Sequence, residues 1–356
     1  NKIGSTWVEA KIGKPTQVQL SLNSAKPIHA LTLNGNRLDL QQDKYELNRP
    51  VEIKVQLSPI DSLAFMGRDL LRFRLYDQAE PIIKKAFELD PNNMSILNSM
   101  IKLYWFRMEY DKALEYALRA LEIDTYNAEA NYYYGLINEK LDKKYDARDG
   151  YQVATMDAAW RPAAFTALSK LFYKTKDYQQ AESYALKALN HGQENIEALQ
   201  MLYLSSLHLN KEKEAQETLN KISIIDPLNP FVNFENLWTK KKKEQEQKFL
   251  TDVKQELRTE AFLELAIRYA SLNNQEKATK ILELAPQNTE TLYWLAYLNQ
   301  GNSAQSDWLK KADESNPDFV FPFREESKNV LEWASQQTKS WKPDYLSALI
   351  YRFRNQ

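Results

Sequence analysis

The sequence predicts a mainly α-helical solenoid preceded by a small antiparallel β segment, and three observations support that prediction. Small residues recur every 34 positions through the middle of the chain, and apolar and polar residues alternate within the first 57 positions. Glycine is also scarce, with 8 among 356 residues, against about 25 at average usage. Because tight turns between strands often need glycine, so few of them argue against a mainly β protein.

Residues 1–57 are predicted to form short strands, because their apolar residues recur with the period of two that a strand requires. The alternation is clearest in Trp7–Ala10, Val18–Leu22, Ile28–Leu33, Asn36–Leu40 and Val51–Leu57. Asn34-Gly35 separates two of these runs, and such a step is a strong signal for a hairpin. So few strands bury only a thin core. We therefore expect this segment to pack on the helices or to be the tail of a larger β domain.

From Pro59 onward the apolar pattern is helical, and it repeats. Alanines stand 34 residues apart at Ala79, Ala113, Ala147, Ala181 and Ala215. Seven residues after each comes a second small or apolar residue, at Ala86, Ala120, Ala154, Ala188 and Ile222. Three of the units carry a tyrosine three residues before the first alanine, at Tyr76, Tyr110 and Tyr178. Small residues at a fixed spacing let neighbouring helices approach closely, which predicts a stack of similar helix pairs.

This pattern resembles the tetratricopeptide repeat (TPR) family, whose repeat of about 34 residues is a helix pair. Gly67 and Gly135 in the first helices, and Asp90-Pro91 and Asp226-Pro227 at the ends of units, fit the same family. The resemblance implies a right-handed superhelix with five regular units over residues 58–229. Over residues 230–356 the register loosens, and we expect degenerate helix pairs there, which makes eight or nine pairs in all.

A closer resemblance is to large bacterial TPR proteins whose N-terminal half is a β-rich, mutarotase-like domain of unknown function. It is carried by Ile123–Asn127, Ala130–Leu136, Asp146–Tyr151, Asn195–Gln200, Phe323-Arg324 and Trp341–Pro343. The resemblance implies that residues 1–57 are the tail of that β domain, which the helices could contact. It also implies that any carbohydrate-handling site lies upstream of Asn1. An alternative function follows, in which this chain is the accessory or regulatory half of a carbohydrate-active protein.

Composition excludes several classes of function. Lys and Arg number 47 against 48 Asp and Glu, and this balance argues against a nucleic-acid binder, which usually carries a basic surplus. The chain has no cysteine, so thiolate metal sites, disulfides and cysteine nucleophiles are excluded, while cytoplasmic, periplasmic and secreted locations all stay open. No apolar run reaches the roughly 18 residues of a membrane span.

No cofactor, metal or catalytic site is predicted. Phosphate-binding and nucleophile motifs are missing, and the three histidines, at His29, His191 and His208, are too far apart for metal-ligand spacing. We expect His208 to be a groove or surface histidine. His191-Gly192 predicts a helix end in which the glycine supplies a left-handed cap. The carboxylate pairs Glu325-Glu326 and Asp146/Asp149 are expected to face solvent, so the chain is predicted not to be an enzyme.

The resemblance places the first helix of each pair along a concave groove, which is the predicted binding surface. Counted along the repeat, the groove residues are predicted to be Arg68, Arg72, Lys102, Trp105, Phe106, Tyr132, Lys170, Tyr173 and Lys174. Aromatic side chains beside cations favour a protein or peptide partner of acidic character. The alternative is that a neighbouring helix, the β segment or the C-terminal helices fill the groove.

One known use of TPR domains is disfavoured. Chaperone-binding members hold a terminal carboxylate with lysine, asparagine and arginine side chains at fixed places in three successive first helices. The matching windows here read Ala64, Arg68, Ser99, Glu129, Tyr133 and Asn98, Lys102, Tyr133, Ala163, Ala167. Neither window fits, so we do not expect the groove to capture a chain terminus in that way.

Overall fold

A computed structural model describes most of the chain. The described residues are 32–33, 36–37, 57–240, 242–253 and 258–354. Internal contacts divide the chain into two units, Asn1–Gln56 and Leu57–Gln356. In the first unit, β1 (Thr32–Leu33) pairs with β2 (Asn36–Arg37) in antiparallel fashion, on either side of the predicted Asn34-Gly35 hairpin step. The rest of the predicted strand pattern before Leu57, together with His29, lies outside the described residues.

The described part of the second unit consists of nine consecutive helix pairs, in agreement with the eight or nine expected. The first five pairs are α1 (Pro59–Arg72) with α2 (Tyr76–Leu89), α3 (Met94–Phe106) with α4 (Tyr110–Ile123), α5 (Ala128–Lys140) with α6 (Lys144–Ala154), α7 (Arg161–Lys174) with α8 (Tyr178–His191), and α9 (Ile196–His208) with α10 (Glu212–Ile225). The other four are α11 (Pro230–Lys240) with α12 (Lys243–Asp252), α13 (Arg258–Ser271) with α14 (Gln275–Leu284), α15 (Thr289–Leu298) with α16 (Ala304–Glu314), and α17 (Glu325–Gln337) with α18 (Lys342–Arg354).

The repeated small residues lie where helices meet, which confirms the predicted register. Both alanine series are completely or almost completely buried, including Ala147 and Ala181, which have no exposed surface. Each of these alanines lies on the second helix of its pair. A methyl group at these points lets the backbones approach more closely than a longer side chain would allow.

The turn inside each of the first five pairs also repeats, although no glycine marks it. One residue per turn adopts a left-handed backbone, with φ between 57° and 63°, and these residues are again 34 apart: Arg74, Met108, Asp142, Lys176 and Asn210. Hydrogen bonds across the turn hold this conformation. In the first pair, the amide of Leu75 donates to the carbonyl of Leu70 at 3.0 Å, a pattern that closes a helix end. Gly192 was expected to be left-handed, but it is extended, at φ −160°.

Asparagine side chains start several first helices at repeated places. Asn93, Asn127 and Asn195 each accept a hydrogen bond from a backbone amide in the first turn of the following helix. Such caps satisfy backbone amides that have no hydrogen-bond partner inside the helix. Each cap stabilises the protein by about 1 kcal/mol. The 34-residue period therefore fixes where helices begin as well as where they pack.

After Asn229 a buried polar cluster replaces the alanine register. Glu235 on α11 is 1% exposed, and both of its oxygens lie within 2.8 Å of the Lys277 amine on α14. The hydroxyls of Tyr203 and Tyr269 also donate to Glu235. A buried ion pair is tolerated only when further hydrogen bonds satisfy it. This cluster joins α9, α11, α13 and α14 through specific polar contacts instead of repeated small residues.

Candidate functional site

The nine residues predicted to line the groove differ in their surroundings. Arg68 and Arg72 are exposed on α1, and the Arg72 guanidinium pairs with Asp69 at 2.9 Å. Arg72 also lies over the ring of Phe73, 4.8 Å from its centroid. These two arginines are thus the most accessible cations of the predicted set.

The three predicted lysines are paired with glutamates of the same chain. Lys102 pairs with Glu129, and Lys170 lies 3.0 Å from Glu197. Glu129 and Glu197 both come from the first helix of the next pair. Because oppositely charged side chains on adjacent helices attract each other, these ion pairs connect successive repeats.

Lys174 makes a related contact in the opposite direction along the chain. Its amine lies 2.6 Å from Oε1 of Glu139 on α5. Burial alone would favour the neutral acid, but Lys174 and the hydroxyl of Tyr151 outweigh it and lower the pKa of Glu139. The pKa of Glu197 is lowered in the same way, because Lys170 and Arg268 outweigh burial. Both glutamates are therefore charged at neutral pH.

The predicted aromatic residues pack mainly against other rings of the chain. Trp105 is half-buried, with its ring 5.3 Å from Tyr110, and Tyr132 is half-buried, 5.1 Å from Trp160. Burial raises the pKa of Tyr132 to about 12. Tyr173 is only 5% exposed, and its hydroxyl lies 3.0 Å from Nε2 of His208. Tyr173 is thus withdrawn from the surface, and His208 serves to hold it in place.

Two of the predicted lysines, Lys170 and Lys174, line one cavity of about 260 Å³. The cavity lies on the side of the array that α7, α9 and α13 share, which we call the first-helix face. Its apolar lining comes from Met201, Leu204, Ile267 and Leu272. Its charged lining comes from Lys170, Lys174, Arg268 and Arg324, with Glu197, Glu264 and Glu326. We call this the central cavity.

The cations of the central cavity are already engaged by the chain. Arg268 donates to the Gln200 side chain, and it lies 3.9 Å from Glu197. Arg324 lies 3.4 Å from Glu260 and 3.7 Å from Glu264. The charged lining is therefore close to neutral overall, with each cation beside a carboxylate.

Sequence reasoning missed Arg268 and Arg324 because the alanine register is lost after Asn229. A signal for Arg268 was nevertheless present. It stands 68 residues after Gln200, which is two steps of 34, and the structure places these two side chains in contact. Arg324 precedes α17, outside that register.

Helix α15 carries a buried acid. Glu290 is 2% exposed, and its Oε1 accepts a hydrogen bond from Ser327 at 2.5 Å. Ser327 in turn accepts from the indole of Trp294 at 3.0 Å. Burial raises the pKa of Glu290 to about 7, against the hydrogen bond from Ser327, and Glu260 adds to the rise. This acid is too deeply buried to contact a partner, so we assign it to the scaffold.

The C-terminal helices contact the ends of α3 and α5. The guanidinium of Arg354 donates to the backbone carbonyl of Phe106 at 2.8 Å. Lys140, at the end of α5, lies 3.0 Å from Glu325 and 3.6 Å from Glu326. The expectation that Glu325-Glu326 simply faces solvent is therefore wrong, because Lys140 draws both carboxylates onto α5.

The described residues contain neither a metal-binding cluster nor a membrane-spanning helix. No group of three or more histidine and carboxylate side chains there is arranged to hold a metal ion. Of the eighteen described helices, none has the length and apolar character that a bilayer crossing requires.

Comparison with known proteins identifies the fold. No family model matches the chain. The crystal structure of PilW, a widely conserved type IV pilus biogenesis factor, aligns with 63% of this chain and 98% of its own, at 16% identity and a TM-score of 0.50. Two further structures align at a TM-score of 0.46. PilF of Pseudomonas aeruginosa covers 71% of this chain and 97% of its own at 16% identity. A tetratricopeptide repeat protein of Parabacteroides merdae covers 82% and 98% at 13% identity.

Identities this low concern the fold alone. The assignment therefore depends on the repeat itself, with its 34-residue register, its buried small residues and its consecutive helix pairs. The described part of Leu57–Gln356 has the fold of a tetratricopeptide-repeat solenoid.

Proposed function

We propose that the chain is a non-catalytic scaffold that binds a protein or peptide segment on its first-helix face, with the central cavity as the anchoring point. The observation that carries this proposal is the cavity itself, which α7, α9 and α13 build from an apolar lining and a charged edge. An apolar centre with a polar rim is the usual composition of a protein interface. The predicted residues Arg68, Arg72, Lys102, Trp105, Phe106 and Tyr132 would extend the surface toward the N-terminal repeats.

The size of the cavity favours a peptide side chain as the anchor. Its volume of about 260 Å³ is slightly below the usual range of about 300–1,000 Å³ for small-molecule sites. One or two side chains of a partner would fill it. Burial of one aliphatic side chain against Met201, Leu204 and Ile267 would contribute about 1.5–3 kcal/mol.

Within this proposal the partner carries a carboxylate beside its apolar anchor. Arg324 and Lys170 support this preference, because both line the central cavity and keep 20% and 37% of their side-chain surface exposed. A planar guanidinium has five N–H donors, so it can bind a second carboxylate beside the first. The nearby glutamates limit the effect, so an acidic partner has to compete with Glu260 and Glu264. We therefore expect a modest preference that weakens as salt is added.

Selection from a displayed peptide library, followed by affinity measurements, tests the proposal. Ser271 is exposed at the edge of the cavity, so Ser271→Trp would fill the space without changing the core. Ser306→Trp makes the same change on the exposed surface of α16 and serves as the control. We expect selected peptides to lose at least tenfold in affinity for S271W and to bind S306W like the wild type.

Two outcomes would count against the proposal. If S271W and S306W bind the selected peptides equally well, the central cavity is not the anchoring point. If selection from large libraries yields no peptide, the first-helix face does not bind extended segments. Conversion of the carboxylates in a selected peptide to amides tests the acidic preference separately, and unchanged affinity at low salt would rule that preference out.

A further inference from the structure

The ends of α3, α4 and α5 form a second surface, which already has an occupant. We call it the docking edge and define it by Phe106, Tyr110 and Lys140. Arg354 at the end of α18 reaches the carbonyl of Phe106. Glu325, the first residue of α17, reaches Lys140. The last helix pair of the chain therefore contacts the second and third pairs.

The charges at this contact are complementary. Glu325 and Glu326 lie in the first turn of α17, where the helix dipole favours anions. Lys140 is the last residue of α5, where the dipole favours cations. Burial lowers the pKa of Lys140, but Glu325 and Glu326 outweigh burial and raise it. Burial and Glu325 both raise the pKa of Tyr110, so its hydroxyl remains a neutral donor beside these carboxylates.

Lys140 differs from Lys102 and Lys170 in which part of the chain supplies its partner carboxylates. Lys102 and Lys170 pair with a glutamate 27 residues later, on the next first helix. Those pairs belong to the local repeat and are present whenever neighbouring repeats are stacked. The carboxylates that pair with Lys140 instead lie on α17, in the last helix pair. This ion pair therefore forms only when the last helix pair contacts the third pair.

We infer that the docking edge is an interaction surface for the acidic start of a helix, and that α17–α18 of the same chain occupies it as a latch. The partner it fits has two adjacent carboxylates, which reach Lys140, and a guanidinium that reaches the end of α3. The consequence for binding rests on the proposed function, since Arg324 and Glu326 also line the central cavity, so that opening the latch would change this cavity. An acidic partner could replace Glu325 and Glu326 and thereby open the array.

The latch should be weak enough to open, because its ion pairs are partly exposed. Lys140 retains 33% of its side-chain exposure, Glu326 retains 41% and Glu325 retains 17%. Ion pairs with this much exposure are screened by salt and exchange readily. A contact of this kind suits a reversible closure better than a permanent joint.

Distance measurement between two spin labels tests the latch directly. The chain has no cysteine, so Asp111→Cys on α4 and Arg352→Cys on α18 give two unique and exposed labelling sites. In this background, Lys140→Glu breaks the ion pairs. Lys143→Glu makes the same charge change on an exposed residue nearby and is the control. The triple change K140E/E325K/E326K exchanges the charges and should restore the contact.

We expect one narrow, short distance in the parent and in K143E, a longer and broader distribution in K140E, and recovery of the short distance in the triple variant. High salt should shift the parent toward the K140E distribution. The inference is overturned if K140E matches K143E, or if the triple variant stays open. If K140E fails to fold by circular dichroism, the salt titration of the parent decides. No peptide is needed here, so failure of the latch and failure of the proposed binding site are distinguishable.

A second arm tests what the docking edge binds. The variant E325K, which leaves Glu326 of the central cavity unchanged, should bind a fluorescein-labelled oligoglutamate peptide several-fold more tightly than wild type. The control E212K makes the same charge change on the exposed start of α10. Equal affinities for the two variants would show that net charge alone attracts the probe, which would contradict the assignment of the docking edge.

Discussion

Tyr151 lies so close to Gly135 that no side chain fits between them. A Cβ added at Gly135 would come within 2.6 Å of two carbons of the Tyr151 ring. The ring cannot easily move away, because its hydroxyl donates to Glu139 at 2.8 Å. Glu139 in turn binds Lys174, which lines the central cavity. The side chains of Tyr151 and Glu139 thus link the close contact between α5 and α6 to Lys174 in the central cavity.

Gly135→Ala should therefore destabilise the array. Alanine favours a helix over glycine by about 1 kcal/mol, but the steric clash with Tyr151 should cost about 1–3 kcal/mol. We expect a lower melting temperature by circular dichroism. The control is Gly192→Ala, where an added Cβ meets nothing closer than 3.9 Å. A melting temperature that falls no further in G135A than in G192A would show that Tyr151 can move aside.

Ala181→Leu tests the repeat register. Ala181 has no exposed surface. Three extra carbons there should overpack the contact between α7 and α8 and lower the free energy of unfolding by about 1–3 kcal/mol. Gln179→Leu places the same side chain on the exposed surface of α8 and should have little effect. The assigned register is wrong if urea denaturation gives the same midpoint for A181L and the wild type.

Glu290 should make stability depend on pH. An unfolded carboxyl titrates near 4.5, whereas the pKa of folded Glu290 is about 7. The folded state therefore binds the proton of Glu290 more tightly than the unfolded state does. The resulting stabilisation of the folded state is complete below pH 4.5 and is lost as the pH rises through about 7. The loss should be about 3 kcal/mol.

Glu290→Gln keeps the shape of the side chain but cannot ionise. We expect the wild type to lose apparent stability relative to E290Q between about pH 4 and pH 8, as measured by denaturation at each pH. Subtraction of the two curves removes the titration of the other carboxylates. A constant difference across this range would show that Glu290 does not titrate as its burial indicates.

The isolated chain should show no turnover of glycosides, esters or nucleotides. In each of the two carboxylate pairs from the sequence at least one member is engaged with a cation, since Asp149 accepts from Arg148 at 3.0 Å and Glu325 binds Lys140. Chromogenic substrates would test this prediction. Saturable turnover that survives repurification, and that disappears on mutation of Asp146 with Asp149 or of Glu325 with Glu326, would contradict it.

The sequence alone was enough to predict the helical array, because close packing requires small residues at fixed places. Ala147 and Ala181 are buried as their spacing required. The turns were not predicted, since residues such as Asp142 and Lys176 adopt the left-handed backbone that usually marks glycine. Their conformation is set by hydrogen bonds that close the preceding helix.

The candidate site could be predicted only in part. The register predicted Lys170 and Lys174 to be groove residues, and both line the central cavity. Their pairing with Glu197 and Glu139 depends on how tightly successive helices stack, which residue types alone do not reveal. Contacts between distant repeats, such as Lys140 with Glu325, follow from the curvature of the whole array. That curvature is the sum of many small packing angles, so no local motif encodes it.

Site-specific photocrosslinking tests the central claim most directly. A benzoylphenylalanine in place of Ile267 lies on the wall of the central cavity. The same group in place of Ile224 lies on the exposed surface of α10, a second helix that is not part of the first-helix face. We predict that a selected peptide crosslinks to the first variant and not to the second. Crosslinking only at position 224, or equally at both positions, would contradict binding through the first-helix face.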